Sequence, residues 1–281
     1  MIHSVFKLDG LPERPRKPRE TGITLMLDKG LSSREVEDLL EVAEEYIDIV
    51  KLGWGTAAVT PHLKKKLDVY ASEDIPVYFG GTLFEAYYLR DQLDTYLRLL
   101  QQFGIDHLEI SSGTLEIPHE EKLSIISHLA EDFTVLSEVG SKDLETLMPP
   151  YQWVEQITAE LEAGSWKVIC EARESGRAGV FRPSGEIRSG LIDEILSEVD
   201  LSDLIFEAPR KSQQVWFLRH SDPNVNLGNI APDEIVPLET LRLGLRGDTL
   251  TDFQDLDESS ADLTNGRSTY SSSSSEASSS S

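Results

Sequence analysis

Eight short runs of apolar, β-forming residues recur along the chain and predict an α/β fold, a (β/α)8 TIM barrel. Successive runs begin about 22–37 residues apart, and amphipathic helical patterns fill most of the intervals between them. A doubly wound parallel sheet shows the same alternation, but eight repeats within one chain favour the barrel. The predicted strands are residues 22–28, 47–53, 75–81, 106–111, 133–140, 166–172, 203–209 and 225–231.

The helices between these strands are indicated by capping residues and by periodic apolar positions. Ser32 and Glu35 have the spacing of a capping box and precede an apolar helical face. Residues 83–103 read as one continuous helix that ends at Gly104, because glycine commonly terminates helices. A further helix is predicted over residues 120–130.

The charge of the chain is strongly negative and is carried mostly by the barrel. Lysine and arginine contribute 26 charges against 50 from aspartate and glutamate, so the formal net charge is 26 − 50 = −24. From Asp252 onward six acids and one arginine give −5, which leaves −24 + 5 = −19 for the rest. We therefore divide the chain into a lead-in segment (1–20), a barrel domain (21–250) and an acidic, serine-rich tail (251–281), which its composition predicts to be disordered.

This composition excludes several classes of protein. A pI near 4.5 argues against a nucleic-acid partner, because phosphate binding needs a basic surface. No apolar run is long enough for a membrane helix or a signal peptide, and the single Cys170 forms no disulfide framework. We expect a cytoplasmic protein without membrane or nucleic-acid partners. The scarcity of lysine, 11 residues, further suggests adaptation to high salt.

Acidic residues follow the apolar run of four predicted strands: Glu109, Glu138, Glu171 and Glu207. In a barrel, the C-terminal ends of the strands carry the chemistry. Buried carboxylates are costly unless they are paired or bind a metal ion. These four glutamates therefore predict ion pairs or a metal site at one end of the barrel.

Basic residues and glycines are predicted at the same end. Gly228 and Asn229 follow strand 8, in a region where barrels commonly bind phosphate, and glycine lets backbone N–H groups approach an anion. The combination predicts a small, highly anionic substrate. The basic residues are Lys29, Lys51, Lys142, Arg173, Arg177, Arg210 and Lys211.

Several long strings in the sequence resemble the phosphosulfolactate synthase family. They include EARESG, IFEAPRKSQQVW and LRLGLRGDT, and the resemblance extends from about Thr21 to Thr249. It implies a TIM-barrel lyase that uses Mg2+ to add sulfite to phosphoenolpyruvate, giving (2R)-phospho-3-sulfolactate. In methanogens this is an early step toward coenzyme M, and family members form homo-oligomers. The family is also similar to a plant heat-stress-associated protein.

The residues match this reaction as follows. We expect Lys142 to protonate C2 as a general acid. Lys51 and Arg173 are also assigned as catalytic, and with the other bases they would hold the phosphate, carboxylate and sulfite groups. The magnesium candidates are Glu109, Glu138 and Glu171, with Asp28 and Glu207 as second choices. Substrate binding is assigned to Lys29, Ser111, Arg177, Arg210, Lys211, Gly228 and Asn229.

One position departs from the family pattern, and two alternatives remain open. Ser112 stands where the family commonly has aspartate in the string EISDG. One alternative is a different barrel enzyme, such as a Schiff-base aldolase with Lys51 or Lys142 as the nucleophile. The other is a stress-associated barrel relative that has lost catalytic turnover.

Overall fold

The computed structural model describes residue 6, residues 8–140 and residues 148–253. In these parts of the chain, eight parallel strands alternate with helices, and each observed strand lies within one of the predicted runs. The strands are β1 (Thr24–Asp28), β2 (Ile49–Leu52), β3 (Val77–Phe79), β4 (His107–Ile110), β5 (Thr134–Val139), β6 (Lys167–Cys170), β7 (Leu204–Glu207) and β8 (Leu227–Ile230).

The helices cover the outer face of the strands, and their apolar sides pack against them. They are α1 (Ser33–Ala43), α2 (Thr56–Val59), α3 (Leu63–Ala71), α4 (Gly81–Tyr88), α5 (Leu93–Phe103), α6 (His119–Leu129), α7 (Pro150–Glu162), α8 (Ser189–Glu198), α9 (Lys211–His220) and α10 (Ile235–Arg242). Short 3-10 turns follow α1 and precede β7 and α10. None of the helices described is both long and apolar enough to cross a membrane.

The strands form one sheet with the order β3-β2-β1-β8-β7-β6-β5-β4, in which β1 pairs with both β2 and β8. The (β/α)8 barrel is therefore confirmed, with β3 and β4 as the two ends of the hydrogen-bonded order. These two strands lie side by side, and we call the junction between them the seam. Side chains bridge the seam: Gly81 N donates to Glu109 Oε1 at 2.7 Å, and Ser111 Oγ donates to Glu85 Oε1 at 2.7 Å.

Strand periodicity places the predicted site residues inside the barrel. Side chains two residues apart on a strand point to the same face. The inner core contains Ile49, Leu136, Ile169 and Ile205, and two residues further along these strands, or just past their ends, come Lys51, Glu138, Glu171 and Glu207. An apolar floor therefore lies beneath a layer of charged side chains at the C-terminal end of the barrel.

Two helix predictions had different outcomes. The capping box of α1 is confirmed, since Ser32 accepts a hydrogen bond from the Glu35 N–H and the Glu35 carboxylate accepts one from the Ser32 N–H. The single helix over residues 83–103 was wrong, because the chain forms α4 and α5 with a turn between them. Asp91 in this turn has φ of 54°, which no α-helix can accommodate.

Residues just before and just after the predicted barrel domain pack against it. Arg19 in the lead-in segment is buried and forms a 2.9 Å ion pair with Asp48. At the other end, Asp252 pairs with Arg219 at 2.6 Å and Phe253 is buried, so these first residues assigned to the tail pack against the barrel. The remaining tail residues, 254–281, lie outside the described part of the chain.

Candidate active site

A pocket of about 400 Å3 opens at the C-terminal ends of the strands. Seven of the residues singled out from the sequence line this pocket. The described lining residues are Leu27, Lys51, Trp54, Gly81, Thr82, Glu109, Thr114, Glu138, Glu171, Arg173, Glu174, Ser175, Glu207 and Asn229. A larger cavity, about 830 Å3, lies at the N-terminal ends of the strands, away from these glutamates.

Lys51 is the centre of the charged layer. Its Nζ lies 2.8 Å from Glu109 Oε2, 3.5 Å from Glu207 Oε1 and 3.7 Å from Glu138 Oε2. The lysine is 8% exposed, and the glutamates that surround it are at most 6% exposed. Since a buried charge is costly unless it is paired, the four groups depend on one another for their ionised states.

Backbone N–H groups orient three of the glutamates. Ala172 N donates to Glu207 Oε2 at 2.8 Å, and Arg173 N donates to Glu171 Oε1 at 2.6 Å. Glu109 is held by Gly81 N in the same way across the seam. Each carboxylate thus has one oxygen bound to the main chain, which fixes the direction of its second oxygen.

The environment shifts the pKa of two of these groups upward. Burial alone would lower the pKa of Lys51, but the negative charges around it, above all Glu109, raise that pKa well above its usual value. Burial raises the pKa of Glu207 to about 7; Lys51 opposes this shift, and Glu138 adds to it. Lys51 is therefore an ammonium ion at neutral pH, while Glu207 titrates near neutrality.

Among the residues described, Glu138, Glu171 and Glu207 form the group of carboxylates that could share one metal ion. One oxygen from each lies within 4.8 Å of the others. Glu109 falls outside this group because its oxygens face Gly81 and Lys51. Carboxylate oxygens are the ligands that Mg2+ prefers, so the residues present fit this ion. Glu207 belongs to the group, whereas the sequence analysis ranked Glu109 ahead of it.

Asp28, the other second choice, lies apart from that group. Its Oδ1 accepts hydrogen bonds from the N–H groups of Gly30 and Leu31, both at 2.8 Å. Its Oδ2 lies 2.5 Å from Lys66 Nζ and 3.0 Å from the Tyr70 hydroxyl, both on α3. Asp28 thus connects the loop after β1 to α3.

The predicted basic rim is less concentrated than the sequence suggested. Lys29 is exposed and lies 3.7 Å from Glu174, and Lys211 is exposed and pairs with Asp248 at 3.0 Å. Arg210 is half-buried at the start of α9, and Arg177 is exposed in the loop after β6. Of these predicted substrate-binding bases, the structure brings none into the described lining of the pocket.

The other predicted residues divide between the pocket and its support. Asn229 lines the pocket, in the left-handed conformation with φ of 56°, and Gly228 precedes it in β8. Ser111 is fully buried and binds Glu85 behind the pocket, and Ser112 beside it is half-buried. Lys142 lies outside the described residues.

Sequence reasoning missed Trp54 and Glu85. Trp54 lines the pocket with 41% of its surface exposed, and its φ of 51° is rare for a bulky residue. Glu85 is 2% exposed and accepts hydrogen bonds from Ser111 Oγ and Thr114 N. The string GWGT was a sequence signal for Trp54, whereas Glu85 sits in an ordinary helical pattern.

The chain is similar to proteins of one enzyme family over most of its length. The model of the (2R)-phospho-3-sulfolactate synthase (ComA) family matches residues 12–248. The chain is 45% identical over 247 residues to the phosphosulfolactate synthase of Bacillus subtilis, covering 87% of this chain and 98% of that protein. It is 45% identical over 245 residues to the phosphosulfolactate synthase of Methanothermobacter thermautotrophicus, covering 85% and 95%.

More distant similarities are also present. Protein HEAT-STRESS-ASSOCIATED 32 of Arabidopsis thaliana is 24% identical over 259 residues, covering 82% of this chain and 88% of that protein. The crystal structure of the YdjI aldolase from Escherichia coli K12 superposes with a TM-score of 0.50 at 11% identity, over 84% of this chain and 88% of that one, which reflects the fold alone. Because the family model matches most of the chain and these two synthases are 45% identical to it, the chain belongs to the (2R)-phospho-3-sulfolactate synthase family.

Proposed function

We propose that the protein is a lyase that adds sulfite to phosphoenolpyruvate and forms (2R)-phospho-3-sulfolactate. The observation that carries the proposal is the group of Glu138, Glu171 and Glu207 beside Lys51 at the C-terminal end of a barrel of this family. In the reaction, the sulfur lone pair of sulfite forms a bond to C3. The electron pair of the double bond moves toward C2 and the carboxylate, C2 takes up a proton, and the phosphate ester is kept.

The charge of the pocket supports a role for Mg2+. Its described lining has five glutamates, Glu109, Glu138, Glu171, Glu174 and Glu207, against the two bases Lys51 and Arg173. Both substrates are anions, so a pocket with this excess of negative charge would repel them. A magnesium ion, when bound, supplies positive charge to the substrate carboxylate and to the charge that develops there. Glu138, Glu171 and Glu207 are the residues that would hold it.

Lys51 contributes a permanent positive charge rather than a nucleophile. Its three carboxylate neighbours keep it protonated, and a protonated amine does not attack a carbonyl group. This favours the lyase over a Schiff-base aldolase that uses Lys51. The ammonium group stabilises the ionised glutamates, and with Arg173 it offsets part of the repulsion between these glutamates and anionic substrates.

Delivery of the proton to C2 stays assigned to Lys142, which follows β5. This role of Lys142 is a prediction from the sequence and the family resemblance. The homo-oligomer and the cytoplasmic location are predictions of the same kind. A general acid held on one side of the bound intermediate would fix the configuration at C2, because it would protonate only that face.

Phosphorus NMR on the purified protein tests the reaction. With phosphoenolpyruvate, sulfite and Mg2+ we expect the enol phosphate signal to disappear and a new phosphate monoester signal to appear. Omission of sulfite, addition of EDTA, or the variant Glu138→Gln should each prevent this conversion. If phosphoenolpyruvate persists under all conditions, the alternative of a catalytically silent relative is supported instead.

A further inference from the structure

A buried lysine outside the pocket holds the main chain of one candidate metal ligand. Lys122 of α6 is 3% exposed, and its Nζ donates to the main-chain oxygen of Glu138 at 2.7 Å. The same Nζ donates to Glu160 Oε1 of α7 at 2.6 Å, and Glu160 is fully buried. The ion pair therefore joins two outer helices to the C-terminal end of β5.

Stability alone does not account for this pair. Removing an ammonium and a carboxylate from water is costly, and two apolar side chains of similar volume often serve a fold equally well. The same nitrogen, however, satisfies a main-chain carbonyl at the residue whose side chain enters the pocket. Glu138 is thus held from outside the barrel by Lys122, while its carboxylate faces Lys51 on the inside at 3.7 Å.

The other glutamates show why such a hold matters. Glu171 and Glu207 have their carboxylates oriented by the N–H groups of Arg173 and Ala172, so their directions are set by the loop after β6. Glu138 extends toward these two residues from β5, and one of its carboxylate oxygens lies within 4.8 Å of one oxygen of each. A small shift of the β5 main chain would move that oxygen out of the shared group, because a divalent cation requires ligand oxygens at fixed distances.

We propose that Lys122 and Glu160 are positioning residues, which fix the main chain at Glu138 so that its carboxylate joins Glu171 and Glu207 in a divalent-cation site. This inference rests on the proposed function, since it takes these glutamates as the ligands of Mg2+. Removal of a side chain that contacts a metal ligand without touching the metal commonly lowers metal affinity by about 10–100-fold.

The test is the affinity of the full-length protein for Mg2+ alone, measured by calorimetry without substrate. The double variant Lys122→Met/Glu160→Met replaces the ion pair by an apolar pair, and we expect its Mg2+ affinity to fall about 10–100-fold. Saturating Mg2+ should then restore most of kcat, a rescue that general damage to the fold would not give. Lys167→Met is the matched control, because it removes a buried lysine at the N-terminal end of β6 and should keep the wild-type affinity.

The outcomes separate the two proposals. If the wild-type protein binds no Mg2+, the metal assignment fails and the positioning role fails with it. If the wild type binds Mg2+ and the folded double variant binds it equally well, only the positioning role is overturned. Should circular dichroism show the double variant unfolded, Glu160→Gln takes its place; it keeps the shape of the pair, and unchanged Mg2+ affinity in this variant would overturn the role.

Discussion

Lys51 Nζ and Glu109 Oε2 are 2.8 Å apart in the charged layer at the C-terminal end of the barrel, where both side chains are almost completely buried. The two residues come from β2 and β4, on either side of β3, so their contact reaches across the seam. Glu138 and Glu207 lie within 3.7 Å of the same ammonium group. Lys51 is therefore the cation that pairs with these three buried glutamates.

Removal of this lysine should damage both stability and activity. Lys51→Met leaves several buried carboxylates without their cation, and we expect a loss of about 3–5 kcal/mol in the free energy of unfolding. We also expect kcat to fall by about 100-fold to 1,000-fold, since a fixed positive charge near the substrate anions is lost. Denaturant unfolding and steady-state kinetics measure both effects. Lys64→Met, at an exposed lysine, is the control; equal effects from the two variants would refute the central role of Lys51.

Glu207 should make the metal-free protein less stable as the pH rises. Burial raises its pKa to about 7 from the ordinary value of 4.5. Between these values the folded protein retains a proton that the unfolded chain has released, so the stability contribution present at low pH is lost as the pH rises through about 7. One proton changes the free energy of unfolding by at most about 1.4 kcal/mol per pH unit.

The comparison is between wild type and Glu207→Gln, unfolded by urea in EDTA across this pH range. The variant cannot titrate at this position, so the difference in free energy of unfolding between the two proteins should change with pH. A constant difference would show that Glu207 has an ordinary pKa.

Much of the site could be predicted because strand periodicity is local. Ile169 and Glu171, or Ile205 and Glu207, are two residues apart, so a buried apolar residue implies that the glutamate points into the barrel. The barrel fold could also be predicted, because the eight apolar runs and their spacing are local patterns in the sequence. Asp28 shows the limit of this reasoning, because its partners Lys66 and Tyr70 are about 40 residues away and determine where its carboxylate turns.

Other features depend on backbone conformations that composition does not reveal. The turn at Asp91 divides a segment whose apolar pattern continues through it, and Trp54 adopts a positive φ that its residue type disfavours. Lys29 and Lys211 are exposed and pair with Glu174 and Asp248, so neither lysine lines the pocket, although Glu174 does. Their chain positions predicted the correct end of the barrel but not the direction of their side chains.

The fluorescence of Trp54 should report ligand binding in the pocket. It lines the pocket with 41% of its surface exposed, so a ligand that fills the pocket should change its environment. We expect phosphoenolpyruvate with Mg2+ to change the tryptophan fluorescence of the wild type, and Trp54→Phe to remove most of that change. The other indoles serve as internal references, and Trp216→Phe should leave the response intact. A response that persists in Trp54→Phe would place the ligand elsewhere.

Gly81 is a position at the seam where an added methyl group should disturb the site. A Cβ at Gly81 would lie 2.5 Å from Glu109 Oε1 and closer still to the Ser111 hydroxyl, so Glu109 must move. We expect Gly81→Ala to cost about 1–3 kcal/mol of stability. A displacement of about 1 Å at a reacting site can lower kcat/KM by about 100-fold. Gly55→Ala is the control at the same end of the barrel, because its Cβ would meet no atom within 4 Å. Equal kinetics in the two variants would show that the site tolerates a shift of Glu109.

The net charge of −24 predicts how salt affects this protein. Glu35, Glu37, Asp38 and Glu41 of α1 are all exposed, so neighbouring carboxylates repel one another across water rather than through the core. Salt screens such repulsion between exposed charges but acts far less on the buried contacts of Lys51. We therefore expect the melting temperature and activity to persist or increase as KCl is raised to molar concentration. Salt also screens the attraction of the anionic substrates to the positive charges of Lys51, Arg173 and the proposed Mg2+, and this opposing effect should appear as a higher KM. Thermal melts and kinetics at matched salt concentrations separate the two, and loss of the folded state in molar KCl would contradict adaptation to salt.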